Sequence, residues 1–154
     1  MNKIIYKNAA RGLSKECELV LRSLPKWFGH EASLIEYVEA IDNLDTYSAW
    51  SDEELIGFFS LKYHFEHSVD LYVLGIMPDF HGQSIGSTLY QQIESDMKRK
   101  GVSFIQVKTL SPKVKNKEYL QTLKFYLRMG FVPLEDFPGF WGEDTPCLQL
   151  IKNI

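Results

Sequence analysis

Apolar residues recur along this chain with two different periods, and the change of period divides it. Over residues 14–24, Cys17, Val20, Leu21 and Leu24 fall on one helical face. Ser33 and Glu36 stand at capping-box spacing, which predicts a second helix starting at Ser33, with Leu34, Tyr37, Val38 and Ile41 on its apolar face. The pattern then shortens. Residues 47–50, 55–61 and 69–76 are runs rich in aromatic and β-branched side chains, separated by the polar pieces 51–54 and 64–68. They predict three strands joined by hairpins. Ile85, Leu89, Ile93 and Met97 next recur every four residues, predicting a helix over 85–100. Lys98, Arg99 and Lys100 place cations on its last turn, and Gly101 is the expected stop. A strand is expected over 102–107, then a helix over 118–129 with Leu120, Leu123 and Leu127 inward and Gly130 at its end. Strands over 131–134 and 147–152 close the chain. Hairpins in the middle and helical crossovers later imply an α/β fold, a mixed sheet with helices on its faces.

Composition narrows the class without naming it. A chain of 154 residues fits one domain, residues 1–154, with enough length for a real core. Its 45% apolar and 24% charged content is that of an ordinary globular protein. The net charge of −3 counts against sequence-independent binding to nucleic acid. Cys17 and Cys147 are far apart and form no CxxC pattern, so they are expected to be free thiols in a reducing compartment. Residues 1–6 lack the apolar stretch of a signal peptide, and the apolar run 69–77 is about half a membrane span. The expectation is a cytoplasmic protein with neither membrane nor nucleic acid as partner.

One segment carries candidate chemistry. An apolar strand ending at Leu74, Gly75 and Ile76 runs into a loop with Pro78, Gly82, Ser84 and Gly86, and the long helix begins at once. Small residues let backbone approach a ligand, and a helix start offers unpaired N–H groups at the positive end of its dipole. That suits a pyrophosphate; a strand-to-helix turn that needs glycine for geometry is the other reading. There is no GxGxxG, which counts against a dinucleotide-binding fold. Gly86-Ser87-Thr88 has no lysine in the P-loop position, which counts against a nucleotide hydrolase.

The segment His81-Gly82-Gln83-Ser84-Ile85-Gly86 resembles the coenzyme A site of the GNAT superfamily, the GCN5-related N-acetyltransferases. The family pattern is Gln or Arg, two residues, Gly, one residue, then Gly or Ala, after a strand and before a long helix. Gly86 matches it. His81 replaces the Gln or Arg, and Ser84 replaces the first Gly. A second stretch, Phe125-Tyr126-Leu127-Arg128-Met129-Gly130-Phe131, resembles the family's FYxxxGF ending of its last helix. The element order β-α-α-β-β-β-α-β-α-β-β is also the family's. Residues 24–29 and 141–147 resemble stretches of a bacterial subgroup.

The resemblance implies an acetyl-CoA-dependent N-acetyltransferase acting by direct transfer in a ternary complex, with no metal. It places coenzyme A on Leu74, Gly75, Ile76, His81, Gly82, Gln83, Ser84, Ile85, Gly86 and Ser87, largely through backbone N–H groups. Those around Leu74 to Ile76 would stabilise the oxyanion. Tyr126 would protonate the leaving thiolate, and Tyr119 stands where many members carry an Asn that contacts the cofactor. Asp70 and Glu66 are the nearest carboxylates for a general base. The acceptor would be an amine of a small molecule or protein, and a homodimer is one assembly left open. A non-catalytic coenzyme A-binding or sensing module is the rival reading, and a domain for another phosphate ligand is a third.

Other residues admit two readings each. His64 and His67, with Glu66 and Asp70, could bind a metal, but that spacing suits a helix better than a hairpin tip and no further ligand set is apparent, so a solvated turn is expected. Cys147 has no local His to make it a nucleophile. Lys113, Lys115 and Lys117 form a solvated basic loop or a contact for the adenosine phosphates. Of the aromatic residues at segment ends, Trp27, Phe28, Trp50, Phe137, Phe140 and Trp141, most are expected in the core and some around an acceptor pocket.

Overall fold

The computed structural model describes residues 3–154. Its elements are β1 (Ile5–Ala10), α1 (Ser14–Arg22), α2 (Glu31–Ile41), β2 (Asp45–Ser51), β3 (Glu54–Phe65), β4 (Ser68–Ile76), a 3-10 turn (Pro78–Phe80), α3 (Ile85–Arg99), β5 (Phe104–Leu110), α4 (Lys117–Arg128), β6 (Val132–Phe137) and β7 (Cys147–Asn153). The order is the expected β-α-α-β-β-β-α-β-α-β-β. Seven strands form one mixed sheet in the order β1-β2-β3-β4-β5-β7-β6. Strands β4 and β5 are parallel, whereas β1–β2, β2–β3, β5–β7 and β6–β7 are antiparallel. By compactness the chain divides into two units: residues up to 62 with 72–96, and residues 63–71 with 97–154.

In the first unit, Cys17, Val20 and Leu21 of α1 and Leu24 just after it are buried with Leu34 and Ile41 of α2 and Leu55, Phe58 and Val73 of the sheet. Each such side chain contributes about 1.5–3 kcal/mol by leaving water. The start of α1 is capped from a distance: the Ser14 N–H donates to Asp42 Oδ1 at 3.0 Å. Hydrogen bonds from Ser14 hold the Asp42 carboxyl below its usual range. Helix α2 starts at Glu31 rather than Ser33, with no side-chain cap. The Arg22 guanidinium grips both Glu31 oxygens, at 2.8 and 3.0 Å. That fixes a carboxylate in the first turn, where the helix dipole favours it, and Ser33 falls inside the helix. The turn from β2 to β3 is carried by Asp52 and Glu53 in left-handed backbone, with φ 49° and 66°, the geometry of a two-residue hairpin loop.

The second unit differs from expectation in its helix and strand ends. Helix α4 turns only part of the expected stripe inward: Leu120 and Leu127 are 40% and 45% exposed, Leu123 is half-buried, and Tyr126 is buried at 4%. The two stripes lie one residue apart on the helix, and the larger aromatic surface wins the buried side. After each of α3 and α4 an apolar residue closes the helix instead of opening the next strand. Val102 N–H bonds to Met97 C=O, and Phe131 N–H to Tyr126 C=O. Strands β5 and β6 therefore begin at Phe104 and Val132. At the end of α4, Gly130 has φ +97°, and a Cβ there would stand 3.0 Å from Lys152 Cε. Lys152 Nζ donates to the Met129 carbonyl at 2.7 Å, placing a cation at that helix end. The hairpin after β3 is also tighter than expected: the strand runs through Phe65, and only Glu66 and His67 form the turn.

Gly75 shows how closely α1 lies on β4. A Cβ at this position would approach Leu24 Cδ1 to 3.0 Å and Val20 Cγ1 to 3.3 Å. The glycine thus serves the packing of α1. Gly75→Ala should overpack this contact and lower stability by roughly 1–3 kcal/mol, read as a melting temperature several degrees lower. An unchanged melting temperature would show that α1 yields freely.

Candidate active site

The loop after β4 is built almost entirely from backbone. Strand β4 pairs with β5 only over Ser68–Asp70 against Phe104–Gln106, then continues to Ile76. Met77 N–H ties the strand end to the Ile56 carbonyl at 2.8 Å. His81 folds back on the same place. Its Nε2 lies 2.6 Å from the Ile76 carbonyl, which can only accept, so this nitrogen donates. The Trp27 ring meets the imidazole edge-on at 6.0 Å. The His81 N–H is taken by the Pro78 carbonyl. The residue in the Gln/Arg position of the motif therefore acts as a strut for the loop and offers no backbone donor of its own. Gln83 braces the loop further, Nε2 to the Asp79 carbonyl at 3.3 Å.

Gly82 has φ +76° with no heavy atom within 4 Å of where a Cβ would stand. Ser84 has φ +61°, left-handed backbone at the position where the family pattern has glycine. Its carbonyl accepts from Thr88 N–H at 3.0 Å, Thr88 Oγ1 at 2.7 Å and Ser87 Oγ at 3.1 Å. The Thr88 bond is the first of α3, so the N–H groups of Ile85, Gly86 and Ser87 have no helical acceptor. Ile85, 2% exposed, anchors the turn in the core. The first turn of α3 holds no acidic residue. Three N–H groups at the positive end of a 15-residue helix, with open space at Gly82, fit an anionic diphosphate.

A polar row lies on the sheet of the second unit. Asp70, 5% exposed, receives His64 Nε2 at 3.1 Å and Lys108 Nζ at 3.3 Å, both on Oδ2. Lys108 Nζ also donates to Gln106 Oε1 at 3.0 Å, and that oxygen takes Gln149 Nε2 at 2.8 Å. His64 therefore belongs to β3 and to Asp70, not to a solvated turn. Glu66 stands in the hairpin turn with its side chain 88% exposed and His67 at 3.8 Å. No cluster of metal-binding side chains occurs among the described residues. Strand positions 106, 108 and 149 alternate polar side chains into otherwise apolar runs, and that alternation is the sequence signal for this row.

Tyr126 is buried between Phe125 and Phe131, ring centroids at 5.7 and 6.0 Å. Tyr119, two turns earlier, has its hydroxyl pushed up to about 12 by burial. Its N–H is capped by Asn116 Oδ1 at 3.1 Å. Cys147 is buried and its thiol is pushed up to about 11, chiefly by desolvation, which makes it a poor nucleophile. Lys113 pairs with Asp136 at 3.1 Å and holds that carboxyl below its usual range.

The family model of the GNAT acetyltransferases matches residues 15–131, and the chain belongs to that family. It is an acetyltransferase, and acetyl-CoA-dependent N-acetyl transfer is the activity the family supports. No curated protein sequence matches this chain. Solved structures share its fold at low identity. The PaiA N-acetyltransferase of Thermoplasma acidophilum, in complex with coenzyme A, superposes with a TM-score of 0.76 at 21% identity, over 99% of either chain. The aminoglycoside 6'-N-acetyltransferase of Enterococcus faecium gives 0.72 at 20%, over 97% of this chain and 96% of that one. A GNAT family acetyltransferase of Elizabethkingia anophelis, with acetyl-CoA bound, gives 0.69 at 16%, over 99% and 98%.

The left-handed Ser84 yields a pair of outcomes. Ser84→Gly removes the Cβ conflict and keeps the backbone, so the melting temperature should hold or rise by a few degrees. Ser84→Val puts a β-branched residue in the same conformation and should cost roughly 1–2 kcal/mol. Thermal unfolding of the two variants checks both; equal melting temperatures would mean the loop is not held at this φ.

Proposed function

We propose that this chain is a cytoplasmic N-acetyltransferase whose single domain spans residues 1–154, that it needs no metal, and that its acceptor is a primary amine. The observation that carries the reading is the start of α3, where the N–H groups of Ile85, Gly86 and Ser87 lie ahead of the first helical bond, from Thr88 N–H to the carbonyl of left-handed Ser84. These groups would hold the pyrophosphate of coenzyme A, with Gly82 and Gln83 beside it and His81 bracing the loop. Leu74, Gly75 and Ile76 would present backbone N–H groups to the thioester oxygen. Coenzyme A supplies the acetyl group as a thioester. Tyr126 would give a proton to the departing thiolate, and Tyr119 would line the pantetheine arm. Of the two carboxylates, Asp70 is the one built into a polar row, so amine deprotonation is centred on that row and not on exposed Glu66. No helix among the described residues is long and apolar enough to cross a membrane, in line with a protein that works in solution. The acceptor is small enough to meet this row directly, or is an amine at the end of a flexible protein segment. Self-association into a homodimer is compatible with either.

The direct test is release of free thiol from acetyl-CoA in the presence of a polyamine, an aminoglycoside or a lysine-containing peptide. The enzyme reading expects release that depends on one of these amines. A melting temperature raised by coenzyme A with no release from any amine would instead favour a sensing module. Tyr126→Phe keeps the ring and removes the hydroxyl. It should lower kcat roughly ten- to a few hundred-fold, at the low end of acid–base effects because a thiolate leaves readily. The KM for acetyl-CoA should hardly move. An unchanged kcat with chemistry rate-limiting would take Tyr126 out of the mechanism.

A further inference from the structure

We infer that His64 is the residue that takes the proton from the acceptor amine and that Asp70 is its positioning residue; this rests on the acetyl-transfer reading above. The carboxylate sits at the back of the polar row and the imidazole at its front. The side chain of Asp70 is 7% exposed, that of Lys108 22% and that of His64 34%. Asp70 is gripped from two other strands, β3 through His64 and β5 through Lys108, with both bonds on Oδ2. Lys108 is itself fixed by Gln106 and by the Phe140 ring 5.9 Å from its Nζ, while Gln149 of β7 holds Gln106 in place. So constrained, the carboxylate cannot swing out to meet a substrate. It can do what a fixed carboxylate does beside an imidazole: set the tautomer and the ring orientation.

A carboxylate oxygen only accepts, so Nε2 of His64 carries the hydrogen toward Asp70. In the neutral ring Nδ1 is then a bare lone pair. An aliphatic amine arrives as the ammonium, because its ordinary pKa is near 10, and cannot attack until a proton leaves. The step balances as follows. The ammonium gives one proton to His64 Nδ1, and the freed nitrogen lone pair forms the C–N bond at the thioester carbonyl. The C–S bond breaks, and the sulfur leaves with that electron pair. The thiolate is protonated, and the nitrogen loses its second proton to make good that one. His64 returns the first proton to water. Ammonium and thioester thus become amide, thiol and one solvent proton, with no oxidant or further reactant.

The rival account is that His64, Asp70 and Lys108 only knit three strands together. Two measurements on the full chain separate the accounts. Long-range proton–nitrogen NMR of the ring should show neutral His64 as the Nε2–H tautomer, moving toward a mixture in Asp70→Asn. With the amine that gives the fastest thiol release, His64→Gln should lower kcat roughly 10²–10³-fold and leave the KM for acetyl-CoA within about twofold. His64→Gly should regain part of its rate when imidazole is added. Wild-type kcat in His64→Gln, an Nδ1–H tautomer, or a His64→Gly variant indifferent to imidazole would each overturn the assignment. A wild-type chain that acetylates no amine would overturn the acetyl-transfer reading itself, which is a different failure.

Discussion

Strand β4 is the constraint on which the candidate residues depend. It is held on one side by pairing to β5 that stops after three residues, at Asp70. It is held on its face by α1 and Leu24, which lie so close that a Cβ at residue 75 would press on Leu24 and Val20. Its last carbonyl, on Ile76, is the anchor for His81 and so for the loop that follows. Loosen its end and two things move together: the seat of α1 and the turn that starts α3. Placement by a strand is more exact than placement by a loop.

The loop after β4 illustrates how a candidate site built from backbone would tolerate side-chain change. At two motif positions this chain carries His81 and Ser84. Neither change removes a donor from the start of α3, since the N–H groups ahead of its first helical bond belong to residues 85–87. His81 contributes by bracing, and Ser84 contributes its carbonyl, on which three hydrogen bonds converge. The cost is local strain: a serine in left-handed backbone is less comfortable than a glycine by about 1–2 kcal/mol. A site that relied on side-chain charge would have been altered far more by the same two residues.

The element order and the strand-to-helix turn were legible in the sequence because each rests on local periodicity: the four-residue repeat of Ile85, Leu89, Ile93 and Met97, and small residues after an apolar strand. Features set by tertiary competition were not. The stripe Leu120, Leu123, Leu127 is a valid amphipathic pattern, but Tyr126 and Phe131 are the buried residues, while Leu123 is half-buried and Leu120 and Leu127 stay exposed. Ser33 has good capping chemistry, yet an Arg22–Glu31 pair across two helices starts α2 earlier. The polar row was hidden for a different reason. His64, Asp70, Lys108 and Gln149 lie on four strands up to 85 residues apart, and only the sheet order brings them side by side. Alternation within β5 and β7 hinted at a polar face, but not at which carboxylate it would surround.

The central claim is that backbone N–H groups at the start of α3 are the cofactor's phosphate site. Amide proton–nitrogen NMR of the labelled chain during a coenzyme A titration measures that most directly. The account predicts that the amides of Gly82, Gln83, Ile85, Gly86 and Ser87 show the largest shifts, saturating together at one dissociation constant. Saturable binding that leaves these amides in place while others move would contradict it.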